Sequence, residues 1–297
     1  MAVSKKIILI KIINLIPIKK LRHFLRWYVK TDFYNDYCYE EHIKYLALQN
    51  HKQNTKTVIL GSSHANYGFV PRDSECNLGG NSQDLYLAYN MYKYLATNGL
   101  PKLKNIILFY DVFSDGSDLS KTRIHFVCVP YKLIYDIPYR RKLSFKERII
   151  ERKCQESLDN NQFSVPKNYR GMSLYRVWNK DVEVSKRVES HLKNNSRIVS
   201  QTGYLDDIIA LTKKNHHNLY IVTPPLRSDY CALLPKYEDI FKKLLQTIRG
   251  KKHVKLLNYQ NDSDFQYCDF GDCDHLNKRG AIKLANKIRK AMTKDKK

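Results

Sequence analysis

Ser63 and the pair Asp272 and His275 are the side chains of this sequence whose types and spacing could do covalent chemistry. A serine hydroxyl attacks an acyl carbon only when a base takes its proton and donors stabilise the oxyanion that forms. Asp272-Cys273-Asp274-His275 can supply the base and its orienting carboxylate, because a carboxylate three residues before an imidazole can reach it and fix its tautomer. Asp274 is the alternative carboxylate. Taken alone, Gly61-Ser62-Ser63-His64 reads more readily as a helix cap or phosphate-binding turn, and Asp272–His275 as a polar loop capped by Asn277. Together they favour a serine nucleophile. The chain order Ser, Asp, His matches α/β-type esterases, whereas the missing Gly-x-Ser-x-Gly elbow and the tight Asp-x-x-His spacing argue against the α/β-hydrolase fold itself.

Placing Ser63 is the work of the β-branched, apolar run Thr57–Leu60, which ends in Gly61 and two serines, as a buried parallel strand does at a tight turn. Further strands are expected at 105–110, 218–223 and 253–258, with a short one near 74–78. Helices are expected at 83–97, 204–215, 235–249 and 277–292. This alternation predicts an α/β fold, a parallel sheet covered on both faces with its site at the carboxyl ends of the strands. Ser63, Asp111 and Thr223-Pro224-Pro225 all fall at such ends. Residues 115–200 break the rhythm: Arg140, Arg141, Lys146, Arg148, Arg152 and Lys153 predict a basic helical insertion, a lid or acceptor-binding subdomain, or else a solvated helical face. The division is a basic N-terminal segment over 1–50 and an α/β domain over 51–297 that carries the insertion.

The chain of 297 residues is 43% hydrophobic, enough for a real core, and bears a net charge of +23 from 52 basic and 29 acidic residues. The charge gathers at the ends. Eight Lys/Arg precede the first acid, Asp32, and nine follow Leu276 against one Asp. An anionic partner is implied: a membrane surface, nucleic acid, or a phosphorylated or acidic glycan. No nucleic-acid motif accompanies the charge, so that class is disfavoured. Ile7–Ile18, about twelve residues interrupted by Lys11, Asn14 and Pro17, falls short of the roughly 20 needed to span a bilayer, and no small-x-small cleavage site follows it. Ile18, Leu21, Leu25, Tyr28 and Val29 recur at helical spacing among five cations, with Phe24 and Trp27 suited to an interface. That predicts a basic amphipathic helix lying on an anionic membrane, the alternative being a helix packed on the domain's own surface. The seven cysteines contain no Cys-x-x-Cys pair, so neither a zinc ribbon nor a disulfide framework is indicated; reduced thiols in a cytosolic protein and no bound metal are expected. Cys268 and Cys273 beside His275 lack a fourth ligand.

Four blocks resemble the SGNH (GDSL-like) hydrolase superfamily. Gly61-Ser62-Ser63 resembles the nucleophile block Gly-Asp-Ser, with Ser62 where the family has Asp. Asn77-Leu78-Gly79-Gly80-Asn81-Ser82-Gln83 resembles the second block, and the family's oxyanion glycine falls on Ser82, with Gly79 or Gly80 as alternatives. The third block, Gly-x-Asn-Asp, has no counterpart, since Phe109-Tyr110-Asp111 stands at that strand end; Asn81 or Gln83 would have to replace its amide. Asp272-x-x-His275 agrees with the last block. The whole set, with Asp274 to Ala281, is most similar to SGNH-like proteins of bacterial capsule, exopolysaccharide or lipopolysaccharide synthesis, among them carbohydrate O-acetyltransferases and esterases. The resemblance implies a three-layer α/β/α fold with a flavodoxin-like parallel sheet, and acyl chemistry on a sugar hydroxyl through a Ser63-His275-Asp272 triad. The expected function is O-acetyl transfer, with acetyl-CoA as donor substrate, a carbohydrate acceptor and no bound cofactor. The enzyme would be cytoplasmic and peripheral on the inner membrane face. A carbohydrate esterase of the same fold is the first alternative, and a non-catalytic glycan-binding or nucleic-acid-binding protein the second.

Overall fold

The computed structural model describes residues 9–30, 32–160, 164–173, 183–196, 201–234 and 237–294. Five strands, β1 (Thr57–Leu60), β2 (Glu75–Asn77), β3 (Asn105–Phe109), β4 (Asn218–Thr223) and β5 (Val254–Asn258), form one sheet in the order β2-β1-β3-β4-β5, with every pairing parallel. This is the flavodoxin-like order, and the predicted three-layer α/β/α class holds. Each strand lies within one residue of its expected bounds at either end.

The sheet is buried on both faces, as a parallel sheet must be. Side-chain alternation divides it cleanly. Val58, Leu60, Ile106, Leu108, Leu219 and Ile221 enter a core completed by α5 (Leu85–Thr97), α6 (Cys128–Tyr135) and α9 (Thr202–Lys214). Ile59, Ile107, Phe109, Tyr220 and Val222 point the other way, onto α4 (Ser63–Gly68) and α12 (Lys278–Lys294) through Ala65, Leu284, Ala285 and Ile288. The register that aligns Ile59 with Ile107, and Ile107 with Tyr220, keeps these layers coherent. Because β2 lies to one side of β1 and β3 to the other, the chain's first crossovers diverge at the carboxyl end of β1. That is the switch point where such sheets place their sites.

Two features differ from the sequence reading. α3 (Asp32–His51) lies within the segment 1–50 that charge sets apart, yet Ile43, Lys44 and Ala47 are wholly buried against the α/β domain. Lys44 Nζ donates to Gly79 O at 2.7 Å and pairs with Glu40 at 3.2 Å and Glu41 at 3.3 Å. Burial pushes Glu41 up to about 7, whereas Glu40, despite its burial, is held below the usual range by Lys44 and the Asn66 amide. A high density of ionisable residues therefore marks a buried cluster here, not a solvated arm. The insertion also divides. α6 buries Val129, Tyr131 and Tyr135, and with α7 (Phe145–Asp159) it packs on α3 as part of the body. α8 (Val184–Ser196) reaches the carboxyl ends of the strands, where its Arg187 pairs with Asp274.

The exit from β1 depends on Gly61. Its φ is +130°, and a Cβ would stand 2.8 Å from Phe109 Cβ and 2.9 Å from Phe109 O. Gly61→Ala combines backbone strain with overpacking and is expected to cost about 3 kcal/mol. Urea unfolding of the two proteins measures this; a loss under half that size would mean the turn can relax.

Candidate active site

Ser62 and Ser63 are separated by one peptide bond and by function. Ser62 is the N-cap of α4: extended backbone, side chain accepting from His64 N at 3.2 Å, and hydroxyl donated to Asp111 Oδ2. Ser63 occupies the first helical position, where the backbone N–H has no partner within the helix, and its side chain points elsewhere. Ser63 Oγ lies 2.8 Å from His275 Nε2. His275 Nδ1 lies 2.8 Å from Asp272 Oδ2, while Asp272 Oδ1 accepts from His275 N at 2.7 Å and Asp274 N at 3.0 Å. The expected three residues therefore meet, and Asp272 is the carboxylate in contact with the imidazole. Asp274 Oδ1 stands 3.5 Å away and is engaged otherwise. Burial works against Asp272's charge, but His275 and the backbone N–H bond keep its carboxyl below the ordinary range. In the tautomer that donates from Nδ1 to Asp272, the Nε2 lone pair faces the serine.

The loop that carries this pair is closed locally. Phe270 and Leu276 form an antiparallel bridge, Gly271 N donates to His275 O at 2.9 Å, and Asn277 N donates to Asp269 O at 2.9 Å. Asn277 then caps α12 by accepting from Gly280 N at 3.1 Å, as its sequence position predicts. Packing of α12 beside α4 brings the loop to the serine.

The Gly-rich stretch after β2 turns out to be mostly structural. Asn77 clamps α4, its Nδ2 donating to Ala65 O at 2.8 Å and Phe69 O at 2.9 Å. Gly79 N donates to Asn77 Oδ1 at 3.0 Å and Gly80 N to Gly61 O at 3.0 Å, so neither of these candidate oxyanion donors is free for the role. Close packing explains both glycines: a Cβ at Gly79 would lie 2.6 Å from Ala65 Cβ, and one at Gly80 2.0 Å from Tyr131 Oη. Gln83 is also committed, accepting from Gly61 N at 2.7 Å and donating to Leu78 O at 2.9 Å. Ser82, with φ of 62°, remains as a candidate from this loop beside the N–H of Ser63. Half-buried Asn81 accepts from Asn66 Nδ2 at 3.4 Å and is bonded to the Tyr67 hydroxyl, so it would have to exchange partners.

Sequence reasoning missed a charged layer behind Ser63, His275 and Asp272. The His64 ring stacks on that of His275 with centroids 4.7 Å apart and planes 24° from parallel. His64 Nδ1 is 2.9 Å from Asp111 Oδ1, and Nε2 is 3.6 Å from Asp274 Oδ2. Burial disfavours a cation here, but Asp111 and Asp274 outweigh it and push His64 up to about 10. Arg187, from α8, grips Asp274 through Nε at 3.2 Å and Nη2 at 3.1 Å. Asp274 is itself buried, yet His275, His64 and Arg187 hold it well below the usual carboxylate range. Phe113 and His191 continue the ring series, and burial together with Arg187 pushes His191 down to about 3, so it is neutral. Asp111 thus stands where an amide was sought and serves as a counter-ion. His64 was visible beside Ser63 and Asp274 beside His275, but Arg187 lies in unpatterned sequence.

His64, Asp274 and His275 cluster closely enough to suggest a metal, as do Asp272, Cys273 and Asp274. These groups are otherwise engaged: the His275 nitrogens face Ser63 and Asp272, and Asp274 pairs with Arg187 and His64.

No family model matches the sequence, and no curated protein matches it significantly. Among solved structures, a Bacteroides fragilis NCTC 9343 protein described as a candidate acylhydrolase aligns over 84% of this chain and 94% of its own, with 11% identity and a TM-score of 0.41.

The His64 cation predicts a pH dependence of stability. Its folded pKa, about 10, lies above the ordinary 6.5, so its contribution is complete below pH 6.5 and is lost as pH rises toward 10. Unfolding free energy of the wild type should fall across that window. His64→Asn should flatten the fall and cost roughly 3–5 kcal/mol at neutral pH, because Asp111 and Asp274 lose their shared counter-ion. Nitrogen NMR of the wild-type ring should show it protonated at pH 8; a neutral ring there would refute the assignment.

Proposed function

We propose that this chain is an SGNH-type serine acyltransferase that acts on a carbohydrate hydroxyl, with Ser63 as nucleophile, His275 as base and Asp272 as its orienting carboxylate. One observation carries the reading: the relay Ser63 Oγ to His275 Nε2 at 2.8 Å and His275 Nδ1 to Asp272 Oδ2 at 2.8 Å. Ser63 Oγ attacks the acyl carbonyl while its proton passes to His275 Nε2. The leaving group then departs with that proton, and Ser63 holds the acyl group as an ester. A sugar hydroxyl, deprotonated by His275, attacks this ester and frees Ser63. With water in place of the sugar the same steps are hydrolysis, and the carbohydrate esterase is the second reading. The N–H groups of Ser63 and Ser82 are the proposed oxyanion donors, with Asn81 as the side-chain amide.

Acetyl-CoA is the proposed donor, because its phosphates suit a chain of net charge +23. A capsule, exopolysaccharide or lipopolysaccharide precursor is the proposed acceptor. Half-buried Tyr67, whose ring meets His275 edge-on at 5.5 Å, and half-buried Asn81 offer an apolar edge and a polar group of the kind a sugar ring uses.

A fluorophosphonate probe should label the wild type at Ser63 and leave Ser63→Ala unlabelled. Turnover of p-nitrophenyl acetate should fall at least about a thousandfold in Ser63→Ala and His275→Ala with the fold intact. Asp272→Asn should lose far more activity than Asp274→Asn measured where both are folded. Acetyl transfer to oligosaccharides that exceeds release of free acetate would separate transferase from esterase. Absence of labelling at Ser63 under all conditions would sink the reading.

A further inference from the structure

The amphipathic segment at the N-terminus turns part of its apolar side inward. α2 (Lys19–Lys30) turns its aromatic residues inward. Trp27 packs with the cluster of Cys38, Val129, Ile150 and Cys154, with Lys146 Nζ 5.0 Å above its ring, and Tyr28 lies beneath Lys153 Nζ at 4.2 Å. Phe24 meets Phe145 of α7 at 6.1 Å. These rings are tied to the protein and are not available to an interface.

A second apolar stripe is left outside. Residues 9–14 are helical, Pro17 interrupts the chain, and α2 follows from Lys19. Leu9, Ile12, Leu15, Ile18 and Leu21 recur every third residue and are exposed, Leu15 at 81% and Ile18 at 60%, while Ile13 is buried at 4% and fixes the inward side. Phe145, exposed at 65% and touching Phe24, extends the apolar surface onto α7. Lys11, Lys19 and Lys20 are exposed within the same stretch, and no acidic residue occurs before Asp32.

We propose that this stripe, with its flanking lysines, docks the protein on an anionic lipid surface, the apolar side chains entering the headgroup boundary and the lysines meeting the lipid charge. Apolar side chains left in water at such spacing need a cover, and a uniformly cationic rim selects a negatively charged one. A second copy of the chain is disfavoured by the same rim, since pairing the stripe with itself would bring like charges together. Among the described residues no helix is long and apolar enough to cross a membrane, so the contact is interfacial. The proposal is independent of the acyl chemistry.

Sedimentation of the full chain with sucrose-loaded vesicles is the test. The wild type should bind phosphatidylglycerol vesicles well above phosphatidylcholine ones, and less as salt rises. The double change Leu15→Ser, Ile18→Ser should weaken binding about tenfold or more, by the apolar area withdrawn. Lys19→Gln with Lys20→Gln should do the same on phosphatidylglycerol alone. Both pairs are exposed, so circular dichroism and thermal unfolding should stay near wild type. Phe24→Ala should lower thermal stability and leave vesicle binding intact. Equal partition of wild type and Leu15/Ile18 variant would overturn the proposal. So would equal binding to both lipids, or a concentration-dependent dimer that the same substitutions abolish without any vesicle binding.

Discussion

The passage of the chain over Phe109 at Gly61 is the constraint on which the candidate site depends. At φ +130° and without a Cβ, the Gly61 backbone lies directly on β3. Its N–H is taken by Gln83 and its carbonyl by Gly80 N, so the turn is gripped by the loop that follows β2. Ser62 and Ser63 inherit this fixity: one becomes the cap that binds Asp111, the other the half-buried hydroxyl that meets His275. A serine on a freely moving loop would lose entropy on meeting the imidazole; here that entropy is removed during folding.

Around this turn the protein concentrates charge in its interior. Two clusters flank α4. Lys44 sits between Glu40 and Glu41 beneath Gly79, and the His64 cation sits between Asp111 and Asp274, with Arg187 closing the second. Neither is a cheap source of stability, because desolvation opposes most of the attraction in such pairs. What they supply is specificity of position. Each cation has defined acceptors on several elements, so a small displacement of α3, α4 or the 272–275 loop leaves a buried charge unpaired.

Much of this was legible in the sequence because local chemistry and global fold agree. The strand runs are apolar on both alternations, as a two-sided sheet requires, and Asn277 announces both the end of the Asp-x-x-His loop and the start of α12. Ser63, Asp272 and His275 could be chosen because their mutual reach is set by short segments. Other parts were not legible, for a physical reason. α3 looks like a charged surface helix until its carboxylates and Lys44 are seen to neutralise one another in the core. Gly79 and Gly80 look like an open cradle for an oxyanion, but their freedom is spent on close packing against Ala65 and Tyr131. Phe24 and Trp27 have the composition of a membrane-facing edge, and only the presence of α7 decides that they turn inward. In each case the deciding partner is distant in the chain.

Ser63 and His275 are separated by 212 positions, and this has a bearing on synthesis. Ser63, its turn and β1 leave the ribosome long before His275 and α12. Until α12 packs beside α4, the Ser63 hydroxyl cannot meet the imidazole. The contact therefore forms only after all five strands of the sheet have been synthesised.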